Sequence, residues 1–252
     1  MLWPRTKPPW PRRTTRSRGR SVYIAKHFEL APERVSELLT SAVTAEVVAA
    51  YPEGPEATLL PVSYEADADG GLGSLVAHVT RTNDLWKRTP LGEVLAIVSG
   101  PDAYVSPTWF PGYPERAEVP TWNYVTVHAY GQLIVHDDAA WCRSKVARLS
   151  ASHGYDVDQV DERSMELMLR SIVGIELKLT RVLGKGKLSQ NKSTEFLGSV
   201  IAGLSERGGA QDEALASAMT QISVPHAAAR EELVAGIRAE HQLGFAAPVD
   251  RG

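Results

Sequence analysis

Asn123-Tyr124-Val125-Thr126-Val127-His128-Ala129-Tyr130-Gly131 is the most regular run in this chain of 252 residues. Small apolar side chains alternate in it with tyrosine, threonine and histidine, which is the period-two pattern of a β-strand. One face of such a strand packs in a core, and the other carries aromatic and hydrogen-bonding groups. The run therefore predicts a strand that can offer one of its faces to a planar ligand.

Further strands flank this one in the sequence. β-Branched and apolar runs predict them at 43–49, 57–64, 72–80, 93–100, 102–106 and 172–183. Helical spacing and capping residues predict helices at 32–41, 84–88, 137–153, 162–169, 193–204, 214–222 and 227–240. A proline-rich loop precedes the central strand, and a polar loop follows the strand that ends near residue 183. Six or more antiparallel-type strands with a few helices predict an α+β barrel rather than a doubly wound sheet.

Charge is distributed unevenly along the chain. Residues 1–20 contain seven basic residues and no acidic one, which leaves 20 basic against 30 acidic residues, about −10, in the remainder. We therefore divide the chain into a disordered basic tail (1–20), a main domain (21–206) and an Ala-rich helical extension (207–252). DNA affinity depends on clustered Lys and Arg, so the acidic remainder of the chain gives little support for DNA as a partner. If the protein does bind DNA, the basic tail is the better candidate for the contact.

Cysteine content and hydropathy bear on the compartment. Cys142 is the single cysteine, which excludes an internal disulfide and fits a reducing environment. The sequence contains no signal-peptide core and no apolar run long enough to cross a membrane. We expect a cytoplasmic protein without a membrane partner.

Two groups of polar residues suggest sites, each with a structural alternative. Arg81 follows a strand and precedes a predicted helix N-terminus, an arrangement that suits a phosphate; the alternative is helix capping by Thr82 or Asn83. His128 and His136 share a strand face, but eight residues span roughly 26 Å, too far for a shared metal. We expect both histidines to be structural, and the sequence predicts no metal site.

Four segments taken together resemble the PaiB family, described as FMN-binding negative transcriptional regulators. They are Ala57-Thr58-Leu59-Leu60-Pro61, Ala77-His78-Val79-Thr80-Arg81-Thr82-Asn83, the region 106–131, and Lys187-Leu188-Ser189-Gln190-Asn191-Lys192-Ser193. The similarity covers roughly residues 22–204. It implies an FMN-binding split β-barrel related to pyridoxamine-phosphate oxidases, built as a homodimer with the flavin near the subunit interface.

The resemblance also implies cofactor-binding residues, while the catalytic residues stay unknown. Arg81 would contact the FMN phosphate because its charge is permanent. The full set is His78, Arg81, Thr82, Asn83, Thr121, Trp122, Asn123, Tyr124, Lys187, Ser189 and Gln190. The chain departs from the family pattern at Leu59, where a histidine is common, at Asp84, where a proline is common, and at Gly186, where a tryptophan is common.

Three functions remain open at this stage. The first is an FMN-binding transcriptional regulator. The second is an enzyme, either a flavin-dependent oxidoreductase or a haem-dependent enzyme resembling piperazate synthase with His78 as the axial ligand; its small-molecule substrate is not identified. The third is a barrel whose cofactor site has degenerated. Trp109 and Trp122 could flank a flavin or porphyrin ring, but we expect Trp109 to serve in core or dimer packing.

Overall fold

The computed structural model describes residues 22–115 and 119–244, with side chains through residue 239. The predicted basic tail therefore lies outside the described residues. No helix in the described ranges is long and apolar enough to cross a membrane.

Within residues 22–115 and 119–244, seven antiparallel strands form one sheet. They are β1 (Thr44–Tyr51), β2 (Gly54–Pro61), β3 (Ser63–Glu65), β4 (Ser74–Thr80), β5 (Val94–Val105), β6 (Thr121–His136) and β7 (Ile172–Lys187). Their order across the sheet is β2-β1-β5-β6-β7-β4-β3. β2 and β4 contact each other although four strands separate them in that order, so the sheet curls into a half-barrel. The predicted α+β barrel is confirmed.

Six α-helices lie around the sheet in the part of the chain that the structure describes. They are α1 (Pro32–Thr40), α2 (Ala139–Ser152), α3 (Glu162–Arg170), α4 (Thr194–Arg207), α5 (Ala210–Ala218) and α6 (Val224–Gly244). A π-helical turn, Met219–Ser223, joins α5 to α6. Ser193 caps α4 as predicted, since its hydroxyl accepts a hydrogen bond from the Phe196 amide.

Apolar side chains fill three regions. The inward face of the half-barrel includes Val94, Val127 and Val173, all fully buried. A second cluster joins one end of the barrel to α4, α5 and the π-helical turn. A third, around Cys142, lies between the outer sheet surface and α2 and α3. Each fully buried aliphatic side chain contributes about 1.5–3 kcal/mol, so these clusters fix how the helices sit on the sheet.

Two predicted elements have different boundaries in the structure. The strands expected at 93–100 and 102–106 are one strand, β5, with an irregularity between Ser99 and Asp102, because Pro101 has no N–H to donate. The strand expected at 57–64 divides at Val62 into β2 and β3, which lie at opposite edges of the sheet.

The prediction of a helix at 84–88 was wrong. This segment forms turns, with the Lys87 amide donating to the Asp84 carbonyl at 3.1 Å. The Asn83 side chain accepts from the Leu85 amide at 2.8 Å, which confirms the capping alternative for that residue but at a turn instead of a helix.

The glycine-rich end of β7 was also predicted incorrectly, as a loop. Residues 184–187 pair with residues 124–127 of β6. A Cβ on Gly184 would lie 2.4 Å from Val35 in α1, and one on Gly186 would lie 2.8 Å from Leu30. Glycine is needed here because α1 and the segment before it press against the strand.

Candidate functional site

β6 and β7 place aromatic and basic side chains side by side on the outer surface of the sheet. Cross-strand partners point to the same face, and four successive pairs do so here: Tyr124 with Lys187, Thr126 with Lys185, His128 with Leu183, and Tyr130 with Arg181. We call the polar members the aromatic–basic face: Tyr124, Thr126, His128, Tyr130, Arg181, Lys185 and Lys187. The alternation predicted for β6 is confirmed, with Val125, Val127 and Ala129 buried on the other side.

Two of the cations lie over tyrosine rings. The Arg181 guanidinium carbon is 3.8 Å from the Tyr130 ring centroid, and Lys185 Nζ is 5.3 Å from that of Tyr124. Arg181 also forms an ion pair with Glu93 at 3.6 Å. These contacts hold positive charge against aromatic surface, an arrangement that suits a ligand with both an anionic group and a planar ring.

His128 has a polar atom without a partner. Its Nδ1 is buried and makes no hydrogen bond to any described residue. Burial, with the nearby Lys185 ammonium as a second cause, lowers the pKa of His128 below its usual 6.5, so the ring is neutral at neutral pH. A buried nitrogen left unpaired costs about 1–3 kcal/mol, which a ligand or a partner chain at this face would recover.

Lys187 stands at one end of the aromatic–basic face. Its Nζ donates hydrogen bonds to Thr121 Oγ1 and to the Trp122 carbonyl, the latter at 2.6 Å. Burial lowers the pKa of this lysine. Trp122 is half exposed and donates from Nε1 to Asp102 at 2.9 Å. The structure thus brings together three of the residues that the family resemblance implies, Thr121, Trp122 and Lys187.

Three other predicted site residues are buried and bonded within the protein. Asn123 Nδ2 donates to Ser189 Oγ at 3.1 Å. Gln190 donates to the Gly186 carbonyl at 2.6 Å and accepts from the Leu188 amide at 2.8 Å. These amides shape the loop 187–193, in which Ser189 adopts a left-handed conformation with φ of 62°. Their role in this structure is to build the loop, with their polar groups turned inward.

The C-terminal helices hold this loop. The Arg230 guanidinium in α6 donates to the Gln190 carbonyl at 2.8 Å and to the Lys192 carbonyl. Ser223 in the π-helical turn donates to the Leu188 carbonyl at 2.9 Å. The extension after residue 207 therefore contributes directly to the segment that the family resemblance singled out.

The remaining predicted residues lie at the opposite end of β7. His78 pairs with Gly174, thirteen residues before Lys187, so roughly 40 Å of strand separates the two groups. One chain does not bring them together. The outward face of His78 meets a separate cavity, described below.

Arg81 and Thr82 already have partners at that end. Arg81 Nε donates to the Arg170 carbonyl at 2.7 Å, and both terminal nitrogens donate to Asp137, which raises the pKa of the guanidinium further. Thr82 and Thr80 share a hydroxyl hydrogen bond of 2.9 Å. A phosphate at Arg81 would have to displace or supplement the Asp137 carboxylate.

Five residues of the aromatic–basic face were not predicted as site residues: Thr126, His128, Tyr130, Arg181 and Lys185. The alternation of residues 123–131 did predict a strand face that could meet a ligand, and that face carries Thr126, His128 and Tyr130. Extending β7 to Lys187 would have placed its cations on that side.

Two residues that we expected to be structural, His136 and Trp109, pack against other parts of the chain. His136 bonds Glu176 at 2.8 Å and stacks on Trp141 at 4.0 Å, while Trp109 packs against Gly203. Among the described residues, no three His, Cys, Asp or Glu side chains gather as a metal site.

Comparison with known proteins identifies relatives. Residues 22–181 match the family model described as "Putative FMN-binding domain". The chain is 28% identical over 184 residues to protease synthase and sporulation protein PAI 2 of Bacillus subtilis, covering 70% of this chain and 86% of that protein. An uncharacterized Aspergillus fumigatus protein is 30% identical over 158 residues, covering 54% and 60%. The flavocytochrome Anf3 from Azotobacter vinelandii aligns with a TM-score of 0.46 and 16% identity over 62% of this chain and 67% of its own.

Proposed function

The chain belongs to the PaiB family of FMN-binding-domain proteins, and on that premise we propose that it binds FMN on the aromatic–basic face. The observation that carries the proposal is the pairing of cations with tyrosine rings around the unpartnered, buried His128 Nδ1. FMN combines a phosphate with a planar ring system, and this face offers a matching group for each.

The residues have separate roles in this proposal. Arg181 and Lys185 would bind the phosphate through charge-assisted hydrogen bonds. Tyr124 would pack against the ring system, and His128 would supply a hydrogen-bonding nitrogen. Tyr130, which is buried beneath Arg181, would hold that guanidinium in place. When bound, the flavin supplies the redox chemistry, while these side chains bind and orient it.

A second copy of the chain would complete the site. Leu59 on β2 is 63% exposed and shares a row with Glu46, Ile97, His128 and Leu183 across the outer surface of the sheet, in which Ile97 and Leu183 are half-buried. We place an isologous dimer contact on this row, where Leu59, Ile97 and Leu183 would be covered. A two-fold axis near the middle of β7 would bring the Arg81 end of one chain beside the Lys187 end of the other.

Fluorescence titration of the full chain with FMN tests the binding site. Lys185→Met should weaken binding about 10- to 100-fold, the effect of a lost charge-assisted hydrogen bond. Lys178→Met is the matched control, since Lys178 lies on the same strand, seven residues away, outside the face. Equal effects of the two substitutions would remove Lys185 from the site.

Weaker binding in Arg81→Ala would support a site shared between two chains, as would a dimer mass from light scattering.

The regulatory role implied by the family is the second part of the proposal. Because residues 1–20 are basic and the rest of the chain is acidic, residues 1–20 or a partner protein would make the contact with DNA. Selection of duplexes from a random library, followed by salt titration, tests this role. Deletion of residues 1–20 should abolish binding if the tail makes the contact. Flavin-dependent oxidation of a nicotinamide, with no selected DNA sequence, would favour the oxidoreductase alternative.

Haem is the remaining cofactor alternative, and it depends on His78. The cavity beside His78 has a volume of about 360 Å³ and no lysine, arginine or acidic residue among its lining residues in the described structure. Because a cavity of about 150 Å³ holds one benzene ring, this one holds about two rings. It does not fit a porphyrin with two carboxylates without movement of α2 and α3. Loss of a Soret band in His78→Ala after haemin addition would favour haem; an unchanged band would exclude His78 as its ligand.

A further inference from the structure

We propose that the cavity beside His78 is a binding pocket for a small neutral molecule of one or two rings that forms one hydrogen bond with His78. The cavity lies on the outer surface of the sheet, beneath α2 and α3, away from the aromatic–basic face. Within one chain its occupant is therefore distinct from a flavin on the aromatic–basic face, and the inference does not rest on the proposed function.

The shape and chemistry of the lining select this class of ligand. Val146, Val160, Met165, Leu169 and Ile172 provide most of the wall. Apolar walls with few polar groups are typical of small-molecule pockets, and about 360 Å³ lies at the small end of their range. Because no charged side chain is among the lining residues that the structure describes, an anion entering the cavity would lose its hydration without gaining a counterion.

His78 provides the polar contact. Its ring makes no hydrogen bond to another described residue, and burial lowers its pKa, so at neutral pH it presents one donor and one acceptor nitrogen. Two other polar residues of the lining are less suited to this role. The Ser171 hydroxyl already donates to the Met168 carbonyl at 2.6 Å, and Tyr155 lies at the rim.

The rim shows where a ligand would enter. Tyr155 is 51% exposed and Met168 is 47% exposed, although both line the cavity. Large apolar side chains exposed around a concave opening mark a surface that gains by contact with an apolar molecule. Methionine adapts its shape to such ligands because its thioether chain is flexible.

Methionine NMR offers a direct test with an internal control. The chain has four methionines: Met1, Met165, Met168 and Met219. Met165 and Met168 line the cavity, whereas Met219 is buried beside Asn123 at the other end of β7. In the full chain labelled at the methionine methyl carbons, indole should shift the Met165 and Met168 signals and leave that of Met219 in place. Leucine substitution of each residue in turn assigns the signals.

Matched probes test the hydrogen bond. Indole and indene have nearly the same shape, but only indole has an N–H group. His78→Ala should weaken indole binding about 10-fold more than indene binding, the effect of one buried hydrogen bond. Indole-3-carboxylate should bind at least about 10-fold more weakly than indole because its charge would be desolvated.

Four results would overturn the inference. They are unmoved Met165 and Met168 signals at about 10 mM indole, an equal shift of Met219, equal losses of indole and indene binding in His78→Ala, and displacement of indole from the two cavity methionines by FMN. The last result would assign the cavity to the flavin site. Failure of FMN to bind anywhere would refute the proposed function and leave the indole titration unaffected.

Discussion

Replacement of Arg230 by alanine should destabilise the protein by opening the loop that α6 holds. The side chain is partly buried and its guanidinium bonds two backbone carbonyls, those of Gln190 and Lys192. A hydrogen bond from a charged donor contributes about 1.5–3 kcal/mol. Because both bonds come from one partly exposed group, we expect a combined loss of about 2–3 kcal/mol. For a chain of this length that corresponds to a fall in Tm of about 4–12 °C.

Urea unfolding monitored by circular dichroism gives the free energy, and Arg238→Ala is the matched control. Arg238 lies on the exposed surface of the same helix and forms no bond to a described residue. Its replacement should change stability by less than about 0.5 kcal/mol. A similarly small effect of Arg230→Ala would show that the loop keeps its shape without α6. Arg230→Lys should restore part of the loss, since an ammonium retains the charge but lacks the planar fork.

Three further predictions follow from local geometry. Gly174→Ala should cost about 1–3 kcal/mol because its Cβ would lie 2.2 Å from the Trp141 ring, measurable by urea unfolding. Gly198→Ala, in α4 with open space around the new Cβ, should instead stabilise by about 0.5–1 kcal/mol. Burial lowers the pKa of both His78 and His128 below 6.5. The unfolded chain therefore binds protons that the folded chain does not, and unfolding free energy should fall as pH drops below about 6.5. The double variant His78→Gln/His128→Gln should show a smaller decline. An unchanged slope would contradict the assignment of the decline to these two histidines.

Local periodicity was sufficient for the elements that pack through their own pattern. The central strand was predicted because Val125 and Val127 alternate with polar residues, and α4 because Ser193 provides a cap. β7 was predicted to end too early because Gly184 and Gly186 disfavour a strand on their own. Their place in β7 depends on α1, more than 140 residues earlier in the sequence, and no local pattern carries that contact.

The candidate site was predictable only in part, for a similar reason. Thr121 and Lys187 come together because β6 and β7 pair in register, and the family resemblance had implied both residues without that pairing. Asn123 and Gln190 carry the polar groups of a site but use them to build a loop. That use depends on burial by Met219 and its neighbours, which sequence periodicity does not show.

The fastening of the 187–193 loop by α6 sets an order of events during synthesis. Gln190 and Arg230 are 40 residues apart in the sequence. At about 5–20 residues per second, a ribosome needs roughly 2–8 s to make that interval. A nascent chain that has just reached Gln190 already has all seven strands but not the helix that secures this loop. The Lys187 end of the sheet is thus the last part of the sheet to mature, and a chain cut short before Ser223 would carry all seven described strands with that loop unfastened.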